Sequence, residues 1–325
     1  MSKIMVSIVC CVYNHENYLK KTLESFVSQK TNYEYEIIVH DDASTDGSAS
    51  IIREFENKYP KLFNCIYQVE NQFSKGINIF NTYIKDILRG KYVAFCEGDD
   101  WWIDDKKIAK QTLYMEEHPG CTFCFTNAIM SNVQTGKERL MLPYDKNEAK
   151  QMTNDGIYNT GQLAKLLFIP YASFFLPVQN YSKFPESFFE KYFGGDRKTS
   201  LFSTSLGYAY CINEPMCCYH YGVRNSALTK KRKKEELAKI ERSFVKLNNN
   251  LNEFTNFVYD DVFRESNLYY LRNILMFSRN NKCMTKEEYC FVRKNDTFKT
   301  VLVRTCVRLM PNFVFFFLRS LKKKL

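Results

Sequence analysis

The chain has 325 residues, 45% of them hydrophobic, and a formal net charge of +10 at neutral pH. This length and apolar content are ample for one large domain with an appendage or for two domains. The basic excess favours acidic partners such as phosphorylated molecules or a membrane surface. Because the sequence has no zinc-finger spacing, RNP-type aromatic motif or helix-turn-helix pattern, nucleic acid is not an expected partner.

Predicted strands and helices alternate through residues 4–130. The predicted strands are Val6–Val12, Glu36–His40, Phe63–Val69 and Tyr92–Cys96, and helices follow at Glu16–Ser28, through Ile51–Phe55 and at Ile77–Leu88. This alternation predicts right-handed βαβ units and a parallel sheet. The loops after the first, second and fourth strands would then open on one edge, where ligands bind in such sheets.

An acidic cluster follows the fourth strand, where Glu97, Asp99 and Asp100 surround one glycine. Carboxylates this close repel each other unless a cation or a proton lies between them. A hard divalent cation that also binds substrate phosphates needs only one or two protein carboxylates. The cluster therefore suggests a metal-diphosphate site, and a solvated acidic turn is the alternative.

The cysteine placement favours reduced, packed thiols. Cys10–Cys11 and Cys217–Cys218 lie in apolar runs, and the pair Cys121 and Cys124 lacks a second pair at structural-zinc spacing. We therefore expect an intracellular protein. The first apolar run lacks a signal-peptide cleavage site, and no window reaches the roughly 18 apolar residues that span a bilayer.

Three segments carry a family resemblance: VSIVCCVYNHENYLKKTLESFVSQ, YEIIVHDDASTDGS and GKYVAFCEGDDWW followed by IDDKKIAKQ. In order and spacing they resemble the family 2 glycosyltransferases of the GT-A fold, across about the first 130 residues. The resemblance implies an α/β, Rossmann-like, mostly parallel sheet with a C-terminal helical extension. We place the catalytic domain at residues 1–229 and a helical C-terminal region at residues 230–325.

The resemblance also implies roles for individual residues. Asp42 would accept a hydrogen bond from the uracil N–H, and Asp100 would bind a divalent cation, Mn²⁺ or Mg²⁺, that bridges the donor diphosphate. Asp99 would contact the ribose or a metal-bound water. The remaining expected nucleotide-binding residues are Val12, Tyr13, Asn14 and Glu16. Trp101 and Trp102 are candidates for an acceptor groove, with burial of one of them in the core as the alternative.

A Gly-Asp pair that leads into a helix further along the chain marks the candidate general base, Asp196. The resemblance implies this role, because inverting transfer requires a carboxylate that takes the proton of the acceptor hydroxyl. The alternative is an N-cap that only satisfies helix N–H groups. His220 and Arg224 are candidate diphosphate contacts, although a structural histidine is an equal alternative for His220.

The last third of the chain is predicted to be helical and basic. Apolar residues from Leu237 to Val258 alternate spacings of three and four, which is typical of a homodimeric coiled coil or of a helix packed on its neighbour. Helices are also expected around Phe263–Phe277 and Glu287–Arg293. The apolar end with its lysine cluster fits a segment lying on an anionic membrane, or a basic helix docked on the protein.

The sequence thus predicts a metal-dependent, inverting glycosyltransferase of surface polysaccharide biosynthesis. It would move a sugar from a nucleotide-diphospho-sugar, with UDP as the expected nucleotide, to a saccharide or lipid-linked acceptor at the cytoplasmic face of the membrane. A non-catalytic sugar-nucleotide scaffold is one alternative. A nucleotidyl or phosphoryl transferase is the other, although the sequence has neither GxxxxGK[ST] nor GxGxxG.

Overall fold

The computed structural model describes residues 3–143, 146–150, 152–153, 156–166, 168–190, 194–222, 232–277, 284–297, 301 and 305. It divides into two compact units, one of residues 1–191 and 195–223 and the other of residues 192–194 and 224–325. The predicted domain boundary between residues 229 and 230 lies outside the described residues.

The first unit contains ten strands and seven α-helices within its described residues. The strands are β1 Val6–Val12, β2 Tyr35–Asp41, β3 Phe63–Tyr67, β4 Tyr92–Phe95, β5 Trp101–Trp102, β6 Cys121–Asn132, β7 Glu138–Leu140, β8 Ile157–Tyr158, β9 Phe175–Pro177 and β10 Tyr208–Tyr221. The helices are α1 Glu16–Val27, α2 Ser48–Lys58, α3 Lys107–Glu117, α4 Lys146–Ala149, α5 Thr160–Leu163, α6 Glu186–Phe189 and α7 Gly195–Thr204.

All ten strands join one mixed sheet in the order β3-β2-β1-β4-β9-β6-β10-β5, with β7 beside β6 and β8 beside β10. The predicted parallel pairing is present from β3 to β4, and β6 also pairs in parallel with β10. The other pairs are antiparallel. The carboxyl ends of β1, β2, β3 and β4 therefore share one edge of the sheet.

The core explains why these segments form these elements. Strands β1 and β2 are apolar along most of their length and buried, as expected for parallel strands covered on both faces. Helix α1 spaces Leu19, Leu23 and Phe26 along one face, and each of these side chains is fully buried. This packing fixes the point where β1 ends and the loop toward α1 begins.

One predicted helix is wrong. The segment expected to be helical at Ile77–Leu88 instead forms a π-helical turn at Phe80–Ile84 and a 3-10 turn at Lys85–Ile87. The ring of Phe80 packs 5.6 Å from that of Phe95 and 4.7 Å from that of Tyr181. We attribute the wider turn to this packing, which overrides the local helical pattern.

The second unit contains α8 Lys234–Phe254, α9 Asp260–Phe277 and α10 Lys286–Asn295. Its core is formed by Val245, Leu271, Ile274, Leu275 and Val292. The ring of Phe244 on α8 stacks on that of Tyr270 on α9 at 4.9 Å, so α8 packs against a neighbouring helix of its own chain. Val258, predicted as the last position of the apolar seam, lies beyond the end of α8 and is 72% exposed. A homodimer stays a prediction.

Within the described part of the chain, no helix has the length and apolarity needed to cross a membrane. The C-terminal tail lies outside the described residues, except for Val301 and Thr305. All ten described cysteines are free thiols, and seven of them are buried in the first unit.

Candidate active site at the carboxyl edge of the sheet

The acidic loop is held closely against α1. The backbone N–H of Asp100 donates to the Glu97 carbonyl at 3.0 Å, which closes a tight turn around Gly98. The hydroxyl of Thr22 lies 2.6 Å from the carbonyl oxygen of Asp100 and 3.1 Å from that of Gly98. A side chain at Gly98 would lie only 2.6 Å from Nδ1 of His15, so this position accepts only glycine without rearrangement.

The side chain of Asp100 is buried, with 1% of its surface exposed. Its Oδ1 atom accepts a hydrogen bond from the backbone N–H of His220 at 2.8 Å, whereas its Oδ2 atom is buried without a partner. Burial raises the pKa of Asp100 well above its ordinary value, and the neighbouring charges of Asp99 and Glu97 raise it further. A buried carboxylate oxygen without a partner is costly, and a bound proton or cation would remove that cost.

These residues fit a cation that takes one or two of its ligands from the protein and others from a bound diphosphate. In the portions of the chain that the structure describes, no group of three or more His, Cys, Asp or Glu side chains could hold a metal ion on its own. Mg²⁺ in phosphate-transfer sites is commonly held by one or two carboxylates together with substrate phosphates. The unpartnered oxygen of Asp100, with Asp99 beside it, provides such a partial set.

Asp196 lies close enough to Glu97 for its charge to raise the pKa of the Glu97 carboxyl. Removal of water by the surrounding protein raises the pKa of Glu97 to about 8, and the charges of Asp99 and Asp196 raise it further. Part of the Glu97 surface nevertheless stays exposed. Burial also raises the pKa of Asp196, partly offset by backbone hydrogen bonds and by Arg197. Helix α7 begins at Gly195, so Gly194 holds the N-cap position and Asp196 is the second residue of the helix; the predicted N-cap is therefore wrong by two residues.

His220 is held rigidly beside the acidic loop. Its Nδ1 atom lies 2.8 Å from the Asp99 carbonyl, and because a carbonyl only accepts, Nδ1 carries the proton and Nε2 keeps its lone pair. The imidazole contacts the rings of Tyr18 and Trp101 edge-on, at centroid distances of 5.0 and 4.2 Å. Burial lowers the pKa of His220, which favours the neutral ring. Arg224 lies outside the described residues.

The two tryptophans have different environments. Trp102 is 4% exposed, its indole N–H donates to the Ala172 carbonyl at 2.9 Å, and its ring packs 4.8 Å from that of Phe26. It is therefore a core residue and does not line an acceptor groove. Trp101 is partly exposed, with the Lys21 ammonium 3.5 Å above its ring, and only Trp101 stays a candidate for the groove.

The loops after β1 and β2 are tied together by reciprocal hydrogen bonds. The backbone N–H of Asn14 donates to Ser44 Oγ at 3.0 Å, and the N–H of Thr45 donates to Asn14 Oδ1 at 2.7 Å. Glu16 Oε2 accepts from the N–H of Gly47 at 2.7 Å. The side chains of Asn14 and Glu16 thus hold these two loops together at this edge of the site. Asn14 has a φ of +58°, a conformation that asparagine tolerates better than most residues.

Of the other expected nucleotide-binding residues, Val12 is buried, whereas Tyr13 is 45% exposed. The side chain of Val12 therefore belongs to the core. The backbone carbonyl of Val12 accepts a hydrogen bond from the backbone N–H of Asp42 at 2.9 Å. Asp42 is 5% exposed, and both of its carboxylate oxygens already accept hydrogen bonds from the loop after β3.

Two features of the site were not predicted from the sequence. Tyr171 lies close enough to Glu97 and Asp196 to interact with both, and burial raises the pKa of its hydroxyl well above the ordinary value. Tyr171 lies in an irregular segment that offered no signal. The turn after β3 was also missed, although Asn71, Ser74 and Gly76 are typical turn residues there.

Comparison with solved structures identifies the fold. Over 90% of this chain and 79% of the other, the fold matches Staphylococcus aureus TarS 1–349 in complex with UDP-GlcNAc, with a TM-score of 0.62 and 15% identity. It also matches the mannosyltransferase PcManGT of Pyrobaculum calidifontis in complex with GDP-Man and Mn²⁺, with a TM-score of 0.55, 12% identity and coverage of 94% and 86%. At these identities the likeness concerns the fold, and it confirms the predicted α/β, GT-A-like architecture.

The family model "Glycosyl transferase family 2" matches residues 7–170, half of the chain. The chain belongs to this family, as its three sequence segments predict.

Curated relatives match over the same region. The chain is 42% identical over 123 residues to the "Uncharacterized protein Rv1520" of Mycobacterium tuberculosis, covering 37% of this chain and 34% of the relative. It is 34% identical over 124 residues to the "Putative teichuronic acid biosynthesis glycosyltransferase TuaG" of Bacillus subtilis, covering 38% and 46%. It is also 34% identical over 112 residues to the "UDP-Glc:alpha-D-GlcNAc-diphosphoundecaprenol beta-1,3-glucosyltransferase WfaP" of Escherichia coli, covering 34% and 41%. The matched stretch thus spans less than half the length of these relatives.

Proposed function

We propose that this protein is a metal-dependent, inverting glycosyltransferase that uses a nucleotide-diphospho-sugar donor, with UDP as the nucleotide. The observation that carries the proposal is the buried, unpartnered Oδ2 atom of Asp100 at the carboxyl edge of the sheet, beside Glu97, which interacts electrostatically with Asp99 and Asp196. Family membership supports the reaction class.

The donor diphosphate would bind at the acidic loop. Asp100, with Asp99, would hold a divalent cation there, and when bound this cation supplies positive charge that stabilises the departing nucleoside diphosphate. His220 would present Nε2 toward the same region, because its Nδ1–H is held by the Asp99 carbonyl. Thr22 keeps the loop in this conformation through its hydrogen bonds to the backbone carbonyls.

Asp196 would act as the general base that takes the proton of the acceptor hydroxyl. Its raised pKa suits this role, because a base is most effective when its pKa approaches the working pH. As the attacking oxygen bonds to the anomeric carbon, the bond to the diphosphate breaks on the opposite face, which inverts the configuration.

The acceptor is proposed as a saccharide or lipid-linked hydroxyl in surface polysaccharide biosynthesis. The names of the relatives TuaG and WfaP support this class, since one concerns teichuronic acid and the other a diphosphoundecaprenol-linked sugar. The basic, apolar end of the sequence supports peripheral association with the cytoplasmic face of an anionic membrane.

The test is release of nucleoside diphosphate from a panel of UDP-, GDP- and dTDP-sugars in the presence of Mn²⁺, with water or simple saccharides as acceptors. We expect release from a UDP-sugar, and we expect Asp196→Asn to lower the rate by about 100-fold or more without weakening UDP binding. Asp196→Asn keeps the size of the side chain, so folding should be preserved. Wild-type protein that binds UDP and Mn²⁺ but releases no product from any donor would instead support a non-catalytic scaffold.

A further inference from the structure

The sheet brings Tyr171 to the edge where the acidic loop begins. Strand β9 pairs antiparallel with β4, with Phe175 opposite Ala94, so the residues just before β9 lie beyond the carboxyl end of β4. The backbone N–H of Phe95 also donates to the Phe174 carbonyl, at 3.4 Å, which continues this pairing toward the loop. Tyr171 therefore lies beside the proposed diphosphate site, although it comes from a distant part of the sequence.

The turn that bears Tyr171 is fixed by neighbouring side chains. It is a single 3-10 turn. The indole N–H of Trp102 donates to the carbonyl of Ala172 in this turn at 2.9 Å, and the side-chain amide of Gln111 donates to the next carbonyl along the chain at 3.0 Å. The Tyr171 ring packs against that of Phe95, with the centroids 4.6 Å apart. The folded protein thus places the Tyr171 ring without help from a ligand.

The hydroxyl of Tyr171 is available to a ligand. The residue is only partly buried, and among the residues that the structure describes its hydroxyl has no hydrogen-bond partner. Burial raises the pKa of this hydroxyl well above its ordinary value, and the nearby acidic groups, Glu97 and Asp196 among them, raise it further. The hydroxyl therefore keeps its proton at neutral pH. A donor that has lost water without gaining a partner favours a bound acceptor.

The proposed reaction places the transferred sugar in the same space. The diphosphate would be held at Asp100, while Asp196 would take the proton of the acceptor hydroxyl on the opposite face of the anomeric carbon. The sugar ring must therefore lie between Asp100 and Asp196. Tyr171 interacts electrostatically with Asp196 and with Glu97, which belongs to the same loop as Asp100, so its hydroxyl flanks this space.

Resting on the proposed function, we propose that Tyr171 is a specificity-determining residue whose hydroxyl donates a hydrogen bond to a hydroxyl oxygen of the sugar being transferred. The substrate class is then a donor whose sugar carries a free hydroxyl at the contacted position. A deoxy sugar that lacks this hydroxyl would leave Tyr171 without a partner and would be selected against. Tyr171 would discriminate between sugars without affecting the affinity for the nucleotide.

The experiment compares the affinities for UDP and for a panel of UDP-glucose, UDP-galactose and UDP-N-acetylglucosamine by calorimetry, all with Mn²⁺, on the full chain. For Tyr171→Phe we expect the affinity for UDP to be unchanged. The affinity for the UDP-sugar that the wild type binds most tightly should fall about three- to tenfold, the loss expected for one hydrogen bond.

Tyr92→Phe is the matched control. Tyr92 lies at the opposite end of β4, where its hydroxyl donates to Glu116 at 2.6 Å, so this variant should bind every ligand like the wild type. Tyr171→Phe removes an oxygen that has no partner within the described structure, so its stability in urea unfolding should equal that of the wild type.

The outcomes separate this inference from the proposed function. A UDP-sugar affinity that is unchanged in Tyr171→Phe would overturn the sugar contact. Equal losses of affinity for UDP and UDP-sugar would also overturn it, because they would show that Tyr171 only supports the acidic loop. A wild type that binds UDP but no UDP-sugar of the panel would overturn the inference and leave the nucleotide site intact. A wild type that binds neither would refute the proposed function itself.

Discussion

Lys107 is a fully buried lysine just below the acidic loop, and its replacement gives a quantitative test of the packing there. Its ammonium donates to Gln111 Oε1 at 2.7 Å and lies 4.4 Å from the centre of the Trp102 ring. Burial lowers its pKa from the ordinary value of 10.5 to about 8. The difference between these values corresponds to about 3 kcal/mol of unfolding free energy.

The sign of the effect follows from proton binding. Below pH 8 Lys107 is charged in both the folded and the unfolded chain, so folding bears the full cost of burying the ammonium. Between pH 8 and 10.5 the unfolded chain still binds this proton while the folded chain has lost it, so the stability of the wild type rises with pH. In Lys107→Met this contribution is absent. The wild-type stability minus that of the variant should therefore rise by about 3 kcal/mol between pH 7 and 10.5.

The assay is reversible urea unfolding of both proteins, followed by far-UV circular dichroism at several pH values. Titration of the buried thiols and unfolding of the second unit occur in both proteins and cancel in the difference. Loss of the hydrogen bond to Gln111 changes the unfolding free energy of the variant by an amount that does not depend on pH. The pH dependence of the stability difference is therefore unaffected. A stability difference that does not change with pH would refute the assignment of Lys107 as a desolvated, titrating group.

Two further predictions concern the opposite edge of the sheet. In Gly90→Ala the added Cβ would lie 2.5 Å from the backbone nitrogen of Ser7, so we expect a loss of about 3 kcal/mol in urea unfolding. In Glu36→Ala, removal of a buried carboxylate leaves the Ser7 hydroxyl and the backbone N–H of Arg89 without their acceptor, and we expect a loss of about 2–3 kcal/mol by the same assay.

Each of these changes has a control within the chain. Gly195→Ala should change the stability by less than about 0.5 kcal/mol, because its Cβ would meet no atom within 4 Å. Arg89→Gln should cost less than Glu36→Ala, because the Arg89 side chain is 59% exposed while that of Glu36 is 1% exposed. If Gly90→Ala and Gly195→Ala lost equal stability, the steric argument would be refuted. Equal losses for Glu36→Ala and Arg89→Gln would refute the hydrogen-bond argument.

The sequence was sufficient for the parallel half of the sheet, because β1, β2 and β4 are apolar runs whose period and flanking turns are local signals. It was insufficient where distant packing decides. The helix expected at Ile77–Leu88 became a π turn and a 3-10 turn around the Phe80 ring, whose neighbours Phe95 and Tyr181 are remote in sequence. The antiparallel additions to the sheet likewise depend on pairings that no local pattern encodes.

The same distinction applies to the candidate site. Successive residues of a strand face opposite sides, so burial of one of the two tryptophans could be expected. Which one is buried depends on the pairing of β5 with β10, where Cys217 opposes Trp102. Asp42 was recognised as important from its motif, but its hydrogen bonds to Gln72 and Phe73 come from a turn some 30 residues later.

The central claim is that Asp100 forms part of a metal-dependent diphosphate site. It is tested most directly by calorimetric titration of UDP, with and without Mn²⁺, into the wild type, Asp100→Ala and the control Asp105→Asn, whose carboxylate pairs with Lys30 at 2.5 Å. We expect the wild type and Asp105→Asn to bind UDP far more tightly with Mn²⁺, and Asp100→Ala to lose this dependence. Binding of UDP that is equally tight in Asp100→Ala, or that ignores Mn²⁺ in the wild type, would contradict the account.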